Sequence, residues 1–112
     1  MSQLTTHILD TTKGKPVQGI YITLYYLKKE EWIVISKGIT NDDGRIPDLL
    51  KKDVTMELGT YKLRFETQSY FDKQSVQTFY PFVEIVFQVT SAEHYHVPLL
   101  LNPFGYSTYR GS

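Results

Sequence analysis

The chain of 112 residues carries 12 lysines and arginines and 12 aspartates and glutamates, so its formal net charge is zero. This balance excludes the strong positive charge with which proteins attract nucleic acids and anionic membranes. The absence of cysteine excludes disulfide bonds, a thiolate nucleophile and cysteine-based metal sites. The length predicts a single domain over residues 1–112.

Hydropathy and the two ends of the sequence predict a cytoplasmic protein. Met1-Ser2-Gln3 leads directly into the first predicted strand, without the basic and apolar leader of a secreted protein. No apolar run is long enough to span a bilayer. The final Arg110-Gly111-Ser112 also differs from the Ser-Lys-Leu peroxisomal signal. We therefore expect a protein that binds neither nucleic acid nor membrane.

Three β-strands are predicted near the N-terminus. The run from Thr5 to Leu9 is β-branched and apolar, and it carries His7. Ile20 to Tyr26 alternates between two faces, as a half-buried strand does, and Trp32 to Ile39 is a third β-rich segment. The charged residues Lys28 to Glu31 separate these two strands, so we expect them to form a solvated hairpin tip.

A tight turn and an amphipathic strand are predicted in the middle of the chain. Thr40 to Arg45 contains side chains that bond their own backbone, followed by Gly44, which is free to adopt positive φ. This turn delivers Arg45. Ile46 to Leu58 is expected to be irregular, with room for one short strand. Thr60 to Glu66 alternates apolar and charged residues, so its charged face is expected to lie in water.

The remaining segments complete an all-β pattern. Thr67 to Gln74 is predicted to hold one short helix, with Thr67 as its N-terminal cap. Phe82 to Thr90 is predicted as a core strand, and another strand starts at His94. Strands at short spacing with polar turns and one helix predict an antiparallel β-sandwich.

The C-terminal segment combines a strand with residues that packing does not require. Alternation assigns Tyr95, Val97, Leu99 and Leu101 to the core, and His94, His96, Pro98 and Leu100 to the opposite face. Pro98 lacks a backbone donor, which indicates an edge or an interface. After the breaks at Pro103 and Gly105, the chain is expected to leave the strand, yet its aromatic and charged end is unlike a disordered tail.

Three motifs together resemble one known family. They are Leu4-Thr5-Thr6-His7-Ile8-Leu9-Asp10, Thr40-Asn41-Asp42-Asp43-Gly44-Arg45, and the segment from His94 to the terminal Tyr109-Arg110-Gly111-Ser112. The chain resembles the 5-hydroxyisourate hydrolases, the transthyretin-related family of urate degradation. The resemblance implies a transthyretin-like sandwich that assembles as a homotetramer, a dimer of dimers with active sites at the dimer–dimer interface.

The resemblance also implies an activity and a set of site residues. The implied reaction is hydrolysis of 5-hydroxyisourate to 2-oxo-4-hydroxy-4-carboxy-5-ureidoimidazoline, without a cofactor. By carry-over, His7, Arg45 and Tyr109 contact the substrate, His96 completes the acid/base set, and the carboxylate of Ser112 fixes the tail. Histidine exchanges protons near neutral pH, and arginine supplies a fixed positive charge for an anion or oxyanion.

Water is the expected nucleophile in this reaction. The chain has no cysteine and no Gly-x-Ser-x-Gly elbow, so direct attack by an activated water is favoured over a covalent intermediate. His94 is expected to be a neighbour of the site and not a participant. His94 and His96 lie two residues apart, as some zinc ligands do, but no organised third or fourth ligand accompanies them. We therefore predict no metal site.

Two other classes of function remain open from the residues. Taken singly, a strand histidine or an arginine after a turn is more often structural or solvated than catalytic. One alternative is a small-ligand carrier of the transthyretin type, which shares the fold and lacks the histidine, arginine and tail set. The other is an interaction module. The joint presence of His7, Arg45 and His96 favours the hydrolase.

Overall fold

The structure, a computed structural model, describes residues 2–112 as two four-stranded β-sheets packed face to face on an apolar core. The strands in chain order are β1 (Leu4–Asp10), β2 (Lys15–Pro16), β3 (Tyr21–Lys28), β4 (Glu31–Ile39), β5 (Gly59–Phe65), β6 (Val83–Val89), β7 (Tyr95–Asn102) and β8 (Gly105–Thr108), and the helix α1 (Gln68–Asp72) follows β5. The first sheet has the order β2-β1-β7-β8, and the second has the order β4-β3-β5-β6. Over residues 2–112, no helix is long and apolar enough to cross a membrane.

The core is built from the inward side chains of alternating strand residues, as the sequence predicts. In β7, Tyr95, Val97, Leu99 and Leu101 are all buried, and β1 adds Leu4 and Ile8. Each such side chain contributes about 1.5–3 kcal/mol when it leaves water. Both strands of this pair are therefore held by their inner faces, which leaves their outer faces free for other roles.

One strand pair departs from the predicted antiparallel arrangement. β1 and β7 run parallel, with Thr5 opposite His96 and His7 opposite Pro98. The other strand pairs described are antiparallel. The chain crosses to the second sheet after β2 and returns before β7, so no short turn forces an antiparallel pairing between β1 and β7. The fold is therefore a β-sandwich with one parallel pair.

Of the two alternatives for Pro98, the sheet edge is wrong, because β7 lies between β1 and β8, and the interface stays a prediction. Neighbouring backbone groups of a strand alternate in direction, and the carbonyl of His96 accepts a hydrogen bond from Gly111 at 2.7 Å. Two residues on, the Pro98 carbonyl faces the same side and accepts from Thr108 Oγ1 at 2.6 Å. A backbone N–H at position 98, which proline lacks, would also point towards β8. The β7–β8 ladder accordingly ends at the pair of Leu99 with Thr108.

The chain after Pro103 also differs from the prediction, because it turns back and pairs with β7 as strand β8. Asn102 closes this turn by accepting a hydrogen bond from the backbone of Phe104 at 3.0 Å. Pro103 and Gly105, which predicted breaks in the strand, thus lie at the two ends of the hairpin turn between β7 and β8.

The predicted hairpin tip, irregular loop and helix all lie in their expected segments. The β3–β4 turn has Lys29 and Glu30 at φ values of 50° and 68°, and residues 46–58 contain no strand. Thr67 stands at the N-cap of α1, but its buried hydroxyl makes no hydrogen bond to the helix. The helix is instead tied to the sandwich by Tyr70, which donates to Asp10 at 2.7 Å.

The charged side chains of β5 are less exposed to solvent than predicted. The Lys62 side chain is only 12% exposed and pairs with Glu84 at 3.2 Å. Its ammonium group lies over the rings of Tyr25 and Trp32, at 4.7 and 4.5 Å from their centroids. This covering arises because β5 is an interior strand, so that outward side chains of β3, β4 and β6 reach over Lys62.

Candidate active site

The outer face of the first sheet brings two predicted site histidines together. His7 on β1 and His96 on β7 alternate with buried residues, and both side chains are half-buried. In the parallel register Thr5 lies opposite His96, and His7 follows two residues later on the same face. Strand pairing therefore places the two imidazoles close together although they are remote in sequence.

Arg45 reaches this face from the turn that the sequence predicts. The Asn41 side chain accepts hydrogen bonds from the backbone of Asp43 at 2.9 Å and of Arg45 at 3.1 Å. The Gly44 carbonyl accepts a hydrogen bond from the Ile8 backbone at 3.0 Å, which docks the turn on β1 beside His7. Within residues 2–112 Arg45 forms no salt bridge, so its charge is not neutralised by a carboxylate of this chain.

Glycine is required at position 44 for this docking. Gly44 is buried with φ of +73°, a region that residues with a Cβ rarely adopt. A Cβ there would lie 2.5 Å from the Ile8 carbonyl oxygen. Because the backbone fixes both the Cβ and the Ile8 carbonyl oxygen, no flexible side chain could move to relieve this contact. The close approach of the turn to β1 therefore depends on this glycine.

Burial and positive charge keep both imidazoles neutral. Desolvation lowers the pKa of His7 from its ordinary 6.5 and the Arg45 charge lowers it further, while the backbone and charge of Asp43 oppose the shift. Desolvation also lowers the pKa of His96, followed by the charges of Arg45, His7 and His94. A hydrogen bond to the Thr5 backbone partly offsets this second shift. At neutral pH each ring can therefore accept a proton.

A hydroxyl group connects His96 to the third histidine of the chain. Thr5 Oγ1 lies 2.8 Å from Nδ1 of His96 and 3.1 Å from Nε2 of His94. Neither Thr5 nor His94 is among the site residues predicted from the sequence. Alternation did offer a signal for Thr5, which lies two residues before His7 and so shares its face. Its contact with His96 could not be foreseen without the parallel register.

The C-terminal tail is fixed against His96 through Gly111. The Gly111 backbone donates to the His96 carbonyl at 2.7 Å, and a Cβ at Gly111 would lie 2.6 Å from Cδ2 of the His96 ring. Arg110, the residue before Gly111, also anchors the tail, because its guanidinium pairs with Glu93 at 2.8 Å and lies over the Tyr95 ring. Ser112, the next residue after Gly111, is exposed.

Tyr109 lies apart from the two histidines within this chain. It is 58% exposed and borders a cavity of about 280 Å³ between β6 and β8. The structure thus brings together His7, Arg45 and His96, whereas Tyr109 lines a different surface. Across residues 2–112, no three side chains of histidine, aspartate or glutamate are grouped as metal ligands.

A sequence model of the HIUase/Transthyretin family matches residues 4–111. The chain belongs to this family. It is 46% identical to the 5-hydroxyisourate hydrolase of Mus musculus, over 99% of this chain and 96% of the mouse protein. The crystal structure of transthyretin from Sparus aurata matches with a TM-score of 0.91 at 29% identity, covering 99% of this chain and 97% of that one. The structure of Klebsiella pneumoniae 5-hydroxyisourate hydrolase matches with a TM-score of 0.81 at 34% identity, covering 100% and 94%.

Fold similarity alone does not distinguish members of the HIUase/Transthyretin family by function. The transthyretin backbone superposes on this chain as well as the hydrolase backbone does, with TM-scores of 0.91 and 0.81. Sequence identity has the opposite order, with 46% and 34% for the two hydrolases against 29% for the transthyretin. The difference between the functions must therefore lie in side chains.

Proposed function

We propose that this protein hydrolyses 5-hydroxyisourate to 2-oxo-4-hydroxy-4-carboxy-5-ureidoimidazoline, as a cofactor-independent hydrolase of urate degradation. The observation that carries the proposal is the meeting of His7, His96 and Arg45 on one sheet face, from three separate segments. Two neutral imidazoles beside an unpaired guanidinium form a site for proton transfer next to an anion. A ligand carrier has no need of this combination.

The proposed reaction adds one water across a ring amide bond. A neutral imidazole removes a proton from water, and the hydroxide attacks the amide carbonyl carbon. Arg45 stabilises the negative charge that develops on the carbonyl oxygen. When the C–N bond breaks, the nitrogen takes a proton from the protein, and the ring opens to a carboxylate and a ureido group. His7 contacts the substrate in this proposal, and Tyr109, which lines a different surface within one chain, contacts it from a second copy of the chain.

We also propose that the protein acts as a homotetramer, a dimer of dimers. β6 and β8 each have an edge without a strand partner within residues 2–112, and both border the cavity that Tyr109 lines. Large apolar side chains are exposed on these strands and just after β8, namely Val86, Tyr106 and Tyr109. A second copy of the chain would cover these edges and side chains. Assembly would also give the exposed Tyr109 and Ser112 a fixed environment.

An ultraviolet assay tests the activity directly. Urate oxidase generates hydroxyisourate in the cuvette, and the purified protein is then added in buffer containing EDTA. We expect the hydroxyisourate absorbance to decay much faster than in buffer alone. A His96→Asn preparation at the same concentration controls for contaminating hydrolases. Decay no faster than in buffer would refute the hydrolase and leave the small-ligand carrier.

A further inference from the structure

A single hydroxyl group lies between two imidazoles on the outer face of the first sheet. Thr5 Oγ1 is within hydrogen-bond distance of both, 2.8 Å from Nδ1 of His96 and 3.1 Å from Nε2 of His94. Thr5 and His96 are direct partners in the parallel ladder. His94 lies two residues before His96 and shares its face. The backbone pairing of β1 with β7 therefore sets this arrangement.

The number of hydrogens in the cluster limits its states. A hydroxyl donates one hydrogen, and a neutral imidazole carries a hydrogen on only one nitrogen. If His96 donates from Nδ1 to Thr5, then Thr5 can donate to Nε2 of His94, and Nε2 of His96 is a free base. If His94 donates to Thr5 instead, Thr5 donates to Nδ1 of His96, and Nε2 of His96 carries a hydrogen. The two directions make His96 a base or an acid.

We propose that Thr5 and His94 form a proton relay behind His96, which sets its tautomer and lets it act first as base and then as acid. The relay rests on the proposed hydrolysis. In the first step, Nε2 of His96 takes a proton from water as hydroxide adds to the carbonyl carbon. The Nδ1 proton of His96 passes to Thr5, and the Thr5 hydroxyl proton passes to Nε2 of His94.

The second step reverses the relay. The C–N bond breaks, and Nε2 of His96 gives its proton to the departing nitrogen. His94 returns a proton to Thr5, and Thr5 returns one to Nδ1 of His96. All three side chains regain their starting state, and the net change is one water added across the amide. Both halves of the hydrolysis thus use the same nitrogen of His96.

The charges around His96 favour a relay over a long-lived imidazolium. Burial first, and then the charges of Arg45, His7 and His94, lower the pKa of His96. Moving the proton through Thr5 places the positive charge on His94 and leaves His96 neutral. His94 and Thr5 are accordingly positioning residues, and His96 contacts the reacting atoms.

Two substitutions at one position test the relay. Thr5→Val removes the hydroxyl and keeps the β-branched shape that suits a strand, whereas Thr5→Ser keeps the hydroxyl. Long-range ¹H–¹⁵N NMR of the substrate-free protein reports which nitrogen of His96 carries the hydrogen. In the native protein and in Thr5→Ser we expect the hydrogen on Nδ1 of His96. In Thr5→Val we expect a mixture of both tautomers.

Kinetics supply the second readout. We expect Thr5→Val to lower kcat by at least roughly tenfold with little change in KM, and Thr5→Ser to restore most of it. Circular dichroism checks that both variants are folded. An unchanged His96 tautomer in folded Thr5→Val, or equal kcat in Thr5→Val and Thr5→Ser, would overturn the relay. The NMR measurement uses no substrate, so it tests the control of the His96 tautomer by Thr5 separately from the hydrolase activity.

Discussion

His7 and His96 sit where burial and the Arg45 charge act on both rings. Each of these influences opposes protonation, so the two imidazoles are bases at neutral pH, and the guanidinium remains free to bind an anion. The two rings differ in their neighbours. His96 adjoins the Thr5 hydroxyl and Gly111, whereas His7 adjoins the Asp43 backbone of the turn that carries Arg45.

Substitution of single site residues is expected to separate participants from neighbours. His7→Asn, His96→Asn and Arg45→Ala should each lower kcat/KM by at least roughly a hundredfold, the usual loss when an acid/base group or an oxyanion donor is removed. His94→Asn is the matched control from the same strand face and should cost less than His96→Asn. Steady-state kinetics on folded proteins measure the losses, and equal inactivation by the two strand substitutions would contradict the assigned roles.

Acid should inactivate and destabilise the protein together. Because the pKa values of His7 and His96 are lowered from 6.5, kcat/KM should be constant at neutral pH and fall only at pH values below 6.5, as the bases become protonated. Protonation also favours the unfolded chain, where histidine keeps its ordinary pKa. The stability contributed by the neutral rings is therefore present above 6.5 and is lost as the pH falls.

A pH–rate profile and urea unfolding at about pH 5 and 7.5 measure these two effects. An apparent pKa for kcat/KM above 6.5 would contradict the assignment of these imidazoles as the essential bases.

Residue types alone predicted part of the site and missed another part. His7, Arg45 and His96 were predicted from motifs, and the fold brings these three together. The roles given to them, and to Tyr109 and Ser112, stay predictions. Thr5 was missed because a threonine in a strand has no chemical signature. Thr5 stands out only because the parallel register places ring nitrogens of His94 and His96 beside its hydroxyl.

At the scale of elements, the turn from Asn41 to Arg45 couples stability to activity. Gly44→Ala would add strain at φ +73° and place a Cβ against the Ile8 carbonyl. We expect a loss of roughly 3 kcal/mol or more in unfolding free energy and a fall in kcat/KM, because Arg45 moves with the turn. Gly14→Ala is the matched control, since Gly14 has φ +68° with nothing within 4 Å of a Cβ.

The control should lose only about 1–2 kcal/mol, the cost of a side chain in left-handed backbone, and should keep its activity. Denaturant unfolding and steady-state kinetics on the two variants compare them directly. If Gly44→Ala were no worse than Gly14→Ala in both measurements, the turn would not depend on close approach to β1.

The tail gives a second test at this scale. β8 ends at Thr108, so deletion of Tyr109 to Ser112 should leave the sandwich folded and lower activity strongly. Extension by Gly-Ser moves the terminal carboxylate and keeps the Ser112 side chain, whereas Ser112→Ala keeps the carboxylate. We expect the extension to inactivate and Ser112→Ala to remain active, by the same assay and circular dichroism. The reverse order would assign the role to the hydroxyl.

An amino-terminal tag is not a neutral comparison for these tail variants. Sequence analysis treated Met1 to Gln3 as preceding the first strand, and Met1 lies outside the described residues. Ser2 and Gln3 are buried, however, and the Gln3 side chain accepts a hydrogen bond from the Met56 backbone at 2.8 Å. Ser2 and Gln3 are therefore part of the packed structure.

Local patterns predicted most elements, and errors occurred where pairing decided the outcome. The alternation in β5, β6 and β7 identified the inward residues correctly, because one face of each strand must be apolar. The sheet edge predicted from Pro98 and the strand end predicted from Gly105 were wrong. The effect of a missing backbone donor or of a flexible residue depends on which strand lies alongside. The direction of β1 relative to β7 is a property of the whole topology, which no local window contains.

At the scale of the whole molecule, the free edges of β6 and β8 lead to a prediction about assembly. Light scattering in dilute solution should give four times the 13.0 kDa mass of the chain. Val86→Lys, on the exposed edge of β6, should give smaller, less active particles, because a buried lysine at an interface is costly. Leu58→Lys, at a similarly exposed aliphatic residue, is the control. A stable and active native monomer would contradict a site completed by assembly.

The parallel pairing of β1 with β7 also has a consequence for how the protein is made. Thr5 and His96 are 91 positions apart, so synthesis releases β1 long before its main partner exists. Until then β1 has only the two residues of β2 beside it in the first sheet. Such distant pairing slows folding, because a long loop must close first. A nascent chain accordingly exposes His7 and Arg45 before His96, and the proposed site is complete only once β7 has paired with β1.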